Sequence, residues 1–149
     1  MNDLMFEKKF ELFKIGDKWS SRGRTITESD LVMFSAFSGD WYPLHTDKEY
    51  AENQTPFKQR IAHGMLVLSV ATGLQKMDPE VVVAFYGVDN LRFIAPTFIN
   101  DTIHVELEIL ELKDKQNGTG VVTFQQVIVK QTGENVITGT FKVLINKEK

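Results

Sequence analysis

The stretch HGMLVLSVATGLQKM, residues 63–77, decides the expected fold. Its first three turns carry apolar side chains at nearly every position, so a helix formed here has almost no polar face. A helix that is apolar all round is normally buried on all sides. We therefore predict a long central helix from His63 to Met77, which Asp78-Pro79 stops.

After Pro79 the pattern of apolar residues changes from a helical period to the period of two that is typical of strands. Residues 103–109 alternate strictly, and Asn117-Gly118 is a strong hairpin signal. Because no helix separates the strands, the sheet should be antiparallel and the fold class α+β, with a curved sheet wrapped around the central helix. The predicted strands cover residues 81–86, 90–94, 103–109, 121–131 and 136–145.

The half of the chain before the central helix is predicted to be mixed. Residues 18–25 read as a first strand, and Thr27-Glu28-Ser29-Asp30 resembles a capping box that opens a helix ending at Gly39. Residues 40–46 read as a loop, 47–53 as a short helix and 53–62 as a connection. No element is predicted for the residues up to about Lys14.

Composition limits the possible functions. The 149 residues contain no repeat or linker, so we expect a single domain over residues 1–149. The absence of cysteine excludes disulfides, thiolate catalysis and cysteine-ligated zinc. No apolar run at the N-terminus is long enough for a signal peptide or a membrane span, and we expect a cytoplasmic protein. The net charge of −3, with no basic stripe, argues against a nucleic-acid partner.

The segment FSGDWYPLH, residues 37–45, holds the candidate chemistry. Asp40 and His45 lie five residues apart across a stretch that contains Gly39 and Pro43. A loop can aim both side chains at one point, where the pair can share a water molecule and exchange protons with it near neutral pH. The alternative is that Asp40 caps the next turn and His45 only packs or faces solvent. Spacing alone leaves both interpretations open.

A second candidate feature is Gly64, at the start of the predicted central helix. Its backbone N–H is among the unpaired donors of the helix N-terminus, where the helix dipole is positive. Such a donor suits a carbonyl oxygen that gains negative charge during a reaction. Alternatively, Gly64 serves only to let two chain segments pack closely.

Together these residues resemble the MaoC-like dehydratases and the (R)-specific enoyl-CoA hydratases. The resemblance extends from about Trp19 to Ile145, and it includes the HGM stretch at residues 63–65 and the sequence from Leu91 to Pro96. One departure is Tyr42, which stands where the family signature has Asn, and it leaves the substrate open. The signature is matched in register by Phe37, Ser38, Gly39, Asp40, Pro43, Leu44, His45 and Ala51.

The resemblance implies a hot-dog fold and a reversible addition of water to a 2-enoyl-CoA or a related enoyl thioester. Asp40 and His45 would be the catalytic pair, and the Gly64 N–H would form the oxyanion hole. Thr72 falls where some family members carry a pocket hydroxyl that supports the pair, and Ser69 lies one helical turn earlier. No cofactor is implied beyond the coenzyme A that carries the substrate.

Other polar residues are weaker candidates. His63 could be a third catalytic group, but its place beside Gly64 favours a structural role at the start of the helix, where it would support the pocket. His104 should face solvent. Arg60, Lys58 and Arg92 are candidates for binding the phosphates of coenzyme A, although each is more often a solvated charge. No third ligand at suitable spacing follows His45 and Asp47, so we predict no metal site and set aside a metal hydrolase.

Two other functions remain open at this stage. A thioesterase on the same fold would hydrolyse the thioester, and a non-catalytic hot-dog subunit would only bind acyl groups or partners. For the assembly, the strand at residues 81–86 is apolar on both faces, which suits burial against another subunit. We expect a homodimer, or a multiple of one, with acyl-CoA as the substrate and the site close to the seam.

Overall fold

The computed structural model describes residues 5–149. After a 3-10 turn at Phe10–Leu12, the helices are α1 (Glu28–Ser38), α2 (Pro43–Thr46), α3 (Lys48–Gln54) and α4 (Gly64–Gly73). The strands are β1 (Lys18–Ser20), β2 (Arg24–Thr25), β3 (Val82–Phe93), β4 (Thr102–Asp114), β5 (Thr119–Lys130) and β6 (Asn135–Asn146). None of these helices has the length and apolar character needed to cross a membrane.

The strands form one antiparallel sheet in the order β1-β4-β5-β6-β3, with β2 also paired to β4. The hairpin predicted at Asn117-Gly118 is confirmed, and Gly118 has the positive φ of 86° that this turn requires. The two segments predicted at residues 81–86 and 90–94 are one strand, β3. The pairing of β3 with β6 continues across the gap between the two predicted segments through shifts of register, and Asn90 has a φ of 53°.

The core lies between α4 and the sheet. Leu66, Val67 and Ala71 are buried on one face of α4, against the inward side chains of the strands. From β4 these are Ile103, Val105, Leu107 and Ile109, which confirms the alternation predicted from the sequence. A central helix on an antiparallel sheet is the hot-dog arrangement, and the predicted α+β class is confirmed.

The central helix differs from the prediction in two respects. It ends at Gly73 and not at Met77, because Met77 and Asp78 instead bridge to Phe6. It is also not buried on all sides within one chain, since Met65 is 55% exposed. Residues 5–14, for which no element was predicted, place Phe6 and Phe13 in the core, where Phe6 packs on the ring of Phe124.

The predicted capping box of α1 is confirmed. The Thr27 hydroxyl accepts the Asp30 N–H, and the Asp30 carboxylate accepts the Thr27 N–H at 2.8 Å. Arg24 of β2 also donates to Asp30, so the start of α1 is fixed to the sheet. Gly39 ends the helix with a φ of 79°, as predicted.

Two local predictions are wrong in part. The strand predicted over residues 18–25 is interrupted at Ser21, whose hydroxyl accepts the Val105 N–H, and it becomes β1 and β2. The loop predicted over residues 40–46 contains the short helix α2, whose first residue is Pro43. The fixed φ of proline suits this first helical position, and its missing N–H costs nothing there.

The capping box should make part of the stability depend on pH. The pKa of Asp30 lies below its usual value chiefly because Arg24 donates hydrogen bonds to the carboxylate. A pKa that is depressed by folding adds stability above the unfolded pKa, and this stability is lost as the pH falls through the folded pKa. Asp30→Asn should therefore lower the free energy of unfolding by about 1 kcal/mol near neutral pH.

The difference in unfolding free energy between the wild-type protein and Asp30→Asn should shrink as the pH falls below the usual carboxyl pKa of 3.8. Urea unfolding at a series of pH values measures it, and Glu111→Gln, at an exposed carboxylate of β4, serves as the control. A difference that stays constant down to acid pH would contradict this account of the cap.

Candidate active site

Asp40 lies directly after α1, and backbone contacts set its position. Its N–H donates to the Ser38 hydroxyl at 3.1 Å. Its carboxylate oxygen Oδ1 accepts the backbone N–H of Tyr42 at 3.2 Å. The second carboxylate oxygen has no hydrogen bond among the described residues, and the side chain is exposed. Asp40 is therefore held by its neighbours and remains open to a bound molecule.

His45 lies on α2, and its protonation pattern follows from one contact. Its Nδ1 is 2.7 Å from the carbonyl oxygen of Ile61. Since a carbonyl oxygen can only accept, Nδ1 carries the proton in the neutral ring, and Nε2 is left as an acceptor. The Ile61 N–H in turn donates to the Leu44 carbonyl, which fastens residue 61 to α2.

The fold brings Asp40 and His45 together, as the sequence predicted, and adds His63. One carboxylate oxygen and one nitrogen of each ring lie within 4.8 Å of one another. This spacing lets one water molecule contact the carboxylate and His45 at the same time. Such a trio also suits a metal ion, so the absence of a metal site stays a prediction.

An apolar cavity of about 420 Å³ begins at His45. The first residues of α4, Gly64 and Met65, form one part of its wall, and apolar side chains form the rest. His63, the residue before α4, makes no side-chain capping hydrogen bond, so the first N–H groups of the helix lack a capping side-chain oxygen. The apolar lining includes Phe57, Ile61, Phe93, Ile94, Pro96 and Ile137.

Gly64 packs closely against Phe93. A Cβ atom built on Gly64 would lie 2.5 Å from two carbon atoms of the Phe93 ring. The close-packing interpretation of this glycine is therefore correct. Its role as an oxyanion donor stays a prediction, and the two are compatible because the first concerns Cα and the second the N–H.

The structure does not bring the other predicted residues to the cavity. Ser69 and Thr72 lie on the exposed side of α4, and their hydroxyls donate to the carbonyls of residues 65 and 68 of the same helix. Arg60 forms an ion pair with Glu28 at 3.2 Å. Lys58 and Arg92 are exposed and do not line the cavity. Their predicted contacts with a pocket or with phosphate stay predictions.

Tyr42 has two contacts at the site. Its backbone N–H is the donor to Asp40, so the contact does not depend on which side chain stands at this position. Its ring meets the His45 ring edge-on, with 6.0 Å between the centroids. The Tyr42 phenol also raises the pKa of Tyr50. The departure from the family signature thus leaves the support of Asp40 in place.

Sequence reasoning missed two groups of residues. Phe57 and Ile137 line the cavity although they lie outside the motifs. In the sequence, the only signals are the aromatic side chain of Phe57 and the strand pattern that contains Ile137. Ser35 contacts the ring of His63 at 3.0 Å across 28 residues of sequence. A helical pattern that placed Leu31 and Ser35 on one buried face of α1 was the available signal.

Fold and site together define a hot-dog protein in which an imidazole lines an apolar cavity and a carboxylate lies beside that imidazole. Residues 12–132 match the MaoC like domain family, and the chain belongs to that family. An (R)-specific enoyl-CoA hydratase from Rhodospirillum rubrum is 34% identical over 91% of this chain and 90% of its own length. Protein MaoC of Klebsiella aerogenes is 43% identical over 68% of this chain, a region that spans 30% of that protein. Among solved structures, a monoamine oxidase regulatory protein from Archaeoglobus superposes with a TM-score of 0.89 and 40% sequence identity. The superposition covers 95% of this chain and 96% of that one.

Adding a methyl group at Gly64 should strain the wall of the cavity. Gly64→Ala should displace the Phe93 ring and cost about 1–3 kcal/mol of unfolding free energy, the usual range for overpacking. Because Phe93 is half exposed, the lower end of that range is expected. Adding Phe93→Leu should recover most of the loss, as measured by chemical denaturation in a double-mutant cycle. Additive losses in the double variant would contradict the contact.

Proposed function

We propose that this protein catalyses the reversible addition of water to a 2-enoyl thioester carried on coenzyme A. Asp40 and His45 hold the water, and the Gly64 N–H binds the thioester oxygen. The single observation that carries the proposal is the meeting of the Asp40 carboxylate with His45, which lines the apolar cavity. Family membership and the 34% identity to an (R)-specific enoyl-CoA hydratase support it.

The chemistry needs a polar end and an apolar end, and the cavity offers both. The acyl chain lies along the apolar wall, which excludes bulk water from it. The thioester oxygen lies at the start of α4, where unpaired N–H groups and the helix dipole stabilise negative charge. The far carbon of the double bond then lies beside the Asp40–His45 pair.

The reaction adds the two parts of one water molecule to the two alkene carbons. The water oxygen attacks C3 while Asp40 or His45 takes its proton, and the electron pair of the double bond moves toward the thioester oxygen. The enolate collapses as C2 receives a proton from the pair. His45 has an acceptor nitrogen because Nδ1 donates to Ile61, so it can take the water proton in its neutral state.

A thioesterase is the main rival function, and it differs in the carbon that water attacks. Hydrolysis requires attack at the thioester carbon itself and releases free thiol, whereas hydration consumes the conjugated double bond and leaves the thioester intact. We place the pair at C3 because His45 lines the cavity with Asp40 beside it, and because the carbonyl is assigned to the start of α4.

Removing either member of the pair should slow hydration. Asp40→Asn and His45→Gln should each lower turnover by at least about 10²-fold on the best of a series of 2-enoyl-CoA substrates of different chain length. The ultraviolet absorbance of the conjugated thioester follows the reaction, and a thiol reagent detects free coenzyme A in parallel.

Glu111→Gln and His104→Gln are the matched controls, since both residues lie on β4 and neither lines the cavity. They should retain near-normal turnover. Near-full activity in Asp40→Asn or in His45→Gln would remove that residue from the catalytic role. Release of free thiol without loss of the double bond would replace hydration by hydrolysis.

We further propose that two copies of the chain pair through β3. This strand is an edge of the sheet, bonded on one side to β6. Edge strands with apolar side chains are normally paired or covered. On the exposed side of α4, Met65 is a further apolar side chain that is open to solvent in the single chain. Exposed apolar residues of β3 are Val83, Phe85, Tyr86, Val88 and Phe93.

Light scattering at micromolar concentration should give the mass of a dimer or of a multiple of one. Val83→Lys should shift the protein toward the monomer, because it places a charge in the proposed seam. Leu110→Lys is the control, as Leu110 is an exposed apolar residue of β4, away from that edge. A fully active wild-type monomer would contradict the assembly.

A further inference from the structure

His63 is a buried polar group beside the Asp40–His45 pair, at 2% exposure. It immediately precedes α4, and its ring lies between two other rings. On one side the Phe34 ring is 4.8 Å away, and on the other the His45 ring is stacked at 4.0 Å with 28° between the planes. A change in the position of the His63 ring would therefore directly disturb the packing of the His45 ring.

The polar edge of His63 contacts the other member of the pair. Its Nε2 is 3.1 Å from the backbone carbonyl oxygen of Asp40 and 3.0 Å from the hydroxyl of Ser35. The carbonyl can only accept, so Nε2 carries the proton and donates it to Asp40. Ser35 is fully buried on α1, and the contact of its hydroxyl with Nε2 restrains the rotation of the His63 ring.

Burial keeps this imidazole neutral. Desolvation is the main cause that lowers the pKa of His63 below its usual value. Its other nitrogen, Nδ1, is buried and has no hydrogen-bond partner among the described residues. A buried nitrogen without a partner costs stability, and a phenylalanine of similar shape would avoid that cost. Packing alone does not account for a histidine here.

We infer that His63 is a positioning residue, which joins Asp40 to His45 through its Nε2–H bond to the Asp40 carbonyl and its stack on the His45 ring. The inference rests on the proposed function for its kinetic consequence, although the geometric part stands without it. The neutral state matters in turnover, because two stacked imidazolium rings would repel each other whenever His45 takes up a proton.

Two substitutions separate the hydrogen bond from the packing. His63→Phe keeps an aromatic ring between Phe34 and His45 but removes the donor to Asp40. His63→Gln loses the ring but keeps an amide N–H at about the reach of Nε2. Ser21→Ala is the stability control, since Ser21 is a buried serine whose hydroxyl accepts a backbone N–H of β4, away from the cavity.

His63→Phe should lower kcat by about 10²-fold and change KM by less than about threefold, the pattern of a misplaced catalytic group. His63→Gln should recover at least about tenfold of that loss. Ser21→Ala should lower the unfolding temperature without lowering kcat. Equal losses in the Phe and Gln variants, or a loss confined to KM, would overturn the inference.

A second measurement needs no substrate. In amide NMR spectra, His63→Phe should shift or broaden the resonances of residues 39–45, and His63→Gln should largely restore them. With three histidines in the chain, long-range proton–nitrogen spectra should assign His63 as the neutral ring protonated at Nε2.

Unchanged loop resonances in His63→Phe would overturn the positioning role even in an active enzyme. If His63→Gln restores the resonances but the wild-type protein hydrates no enoyl-CoA, the proposed function is rejected and the positioning role stands.

Discussion

Leu66, Val67 and Ala71 pack one face of α4 against the strands, and the place of the candidate site depends on this contact. The contact fixes the axis of the helix, and with it the point at which the helix begins. His63 and Gly64 stand at that point, one on the side of the Asp40–His45 pair and the other on the wall of the cavity. A burial that stabilises the fold therefore also aligns the helix N-terminus with the chemistry.

A second group of contacts connects the site to the rest of the chain through the backbone. The Ile61 carbonyl accepts from His45, and the next residue, Ala62, donates its N–H to the Thr97 carbonyl at 2.7 Å. The segment before α4 thus joins α2 to the loop that follows β3. On the other side, α1 places Ser35 against His63 and ends at Ser38, two residues before Asp40. The capping box that fixes α1 at its start is for this reason also a remote support of the site.

The features that the sequence could predict are those that depend on neighbours in the chain. The capping box at Thr27, the turn at Gly118 and the alternation in β4 each follow from local spacing, and each is confirmed. The meeting of Asp40 and His45 was predictable in part, because a separation of five residues with a proline between them leaves few ways to keep the two side chains apart.

The features that could not be predicted depend on contacts between distant residues. The end of α4 at Gly73 reflects the bridge from Met77 to Phe6, which lies some seventy residues earlier in the chain. The contacts of His63 likewise require α1 to pack beside α4, so that Ser35 and Phe34 reach the ring. The helix α2 shows a different limit. A proline disfavours helix at the residue before it, which suits the loop predicted over residues 40–46, but Pro43 is itself the first residue of α2.

A crystal structure of Asp40→Asn with a bound 3-hydroxyacyl-CoA tests the assigned positions of the thioester, the 3-hydroxyl and the acyl chain together. We expect the thioester oxygen at about 3 Å from the Gly64 nitrogen, the 3-hydroxyl between residue 40 and His45, and the acyl chain in the cavity beside Phe93. A thioester carbonyl turned away from the start of α4, or a 3-hydroxyl that contacts neither residue 40 nor His45, would contradict these assignments.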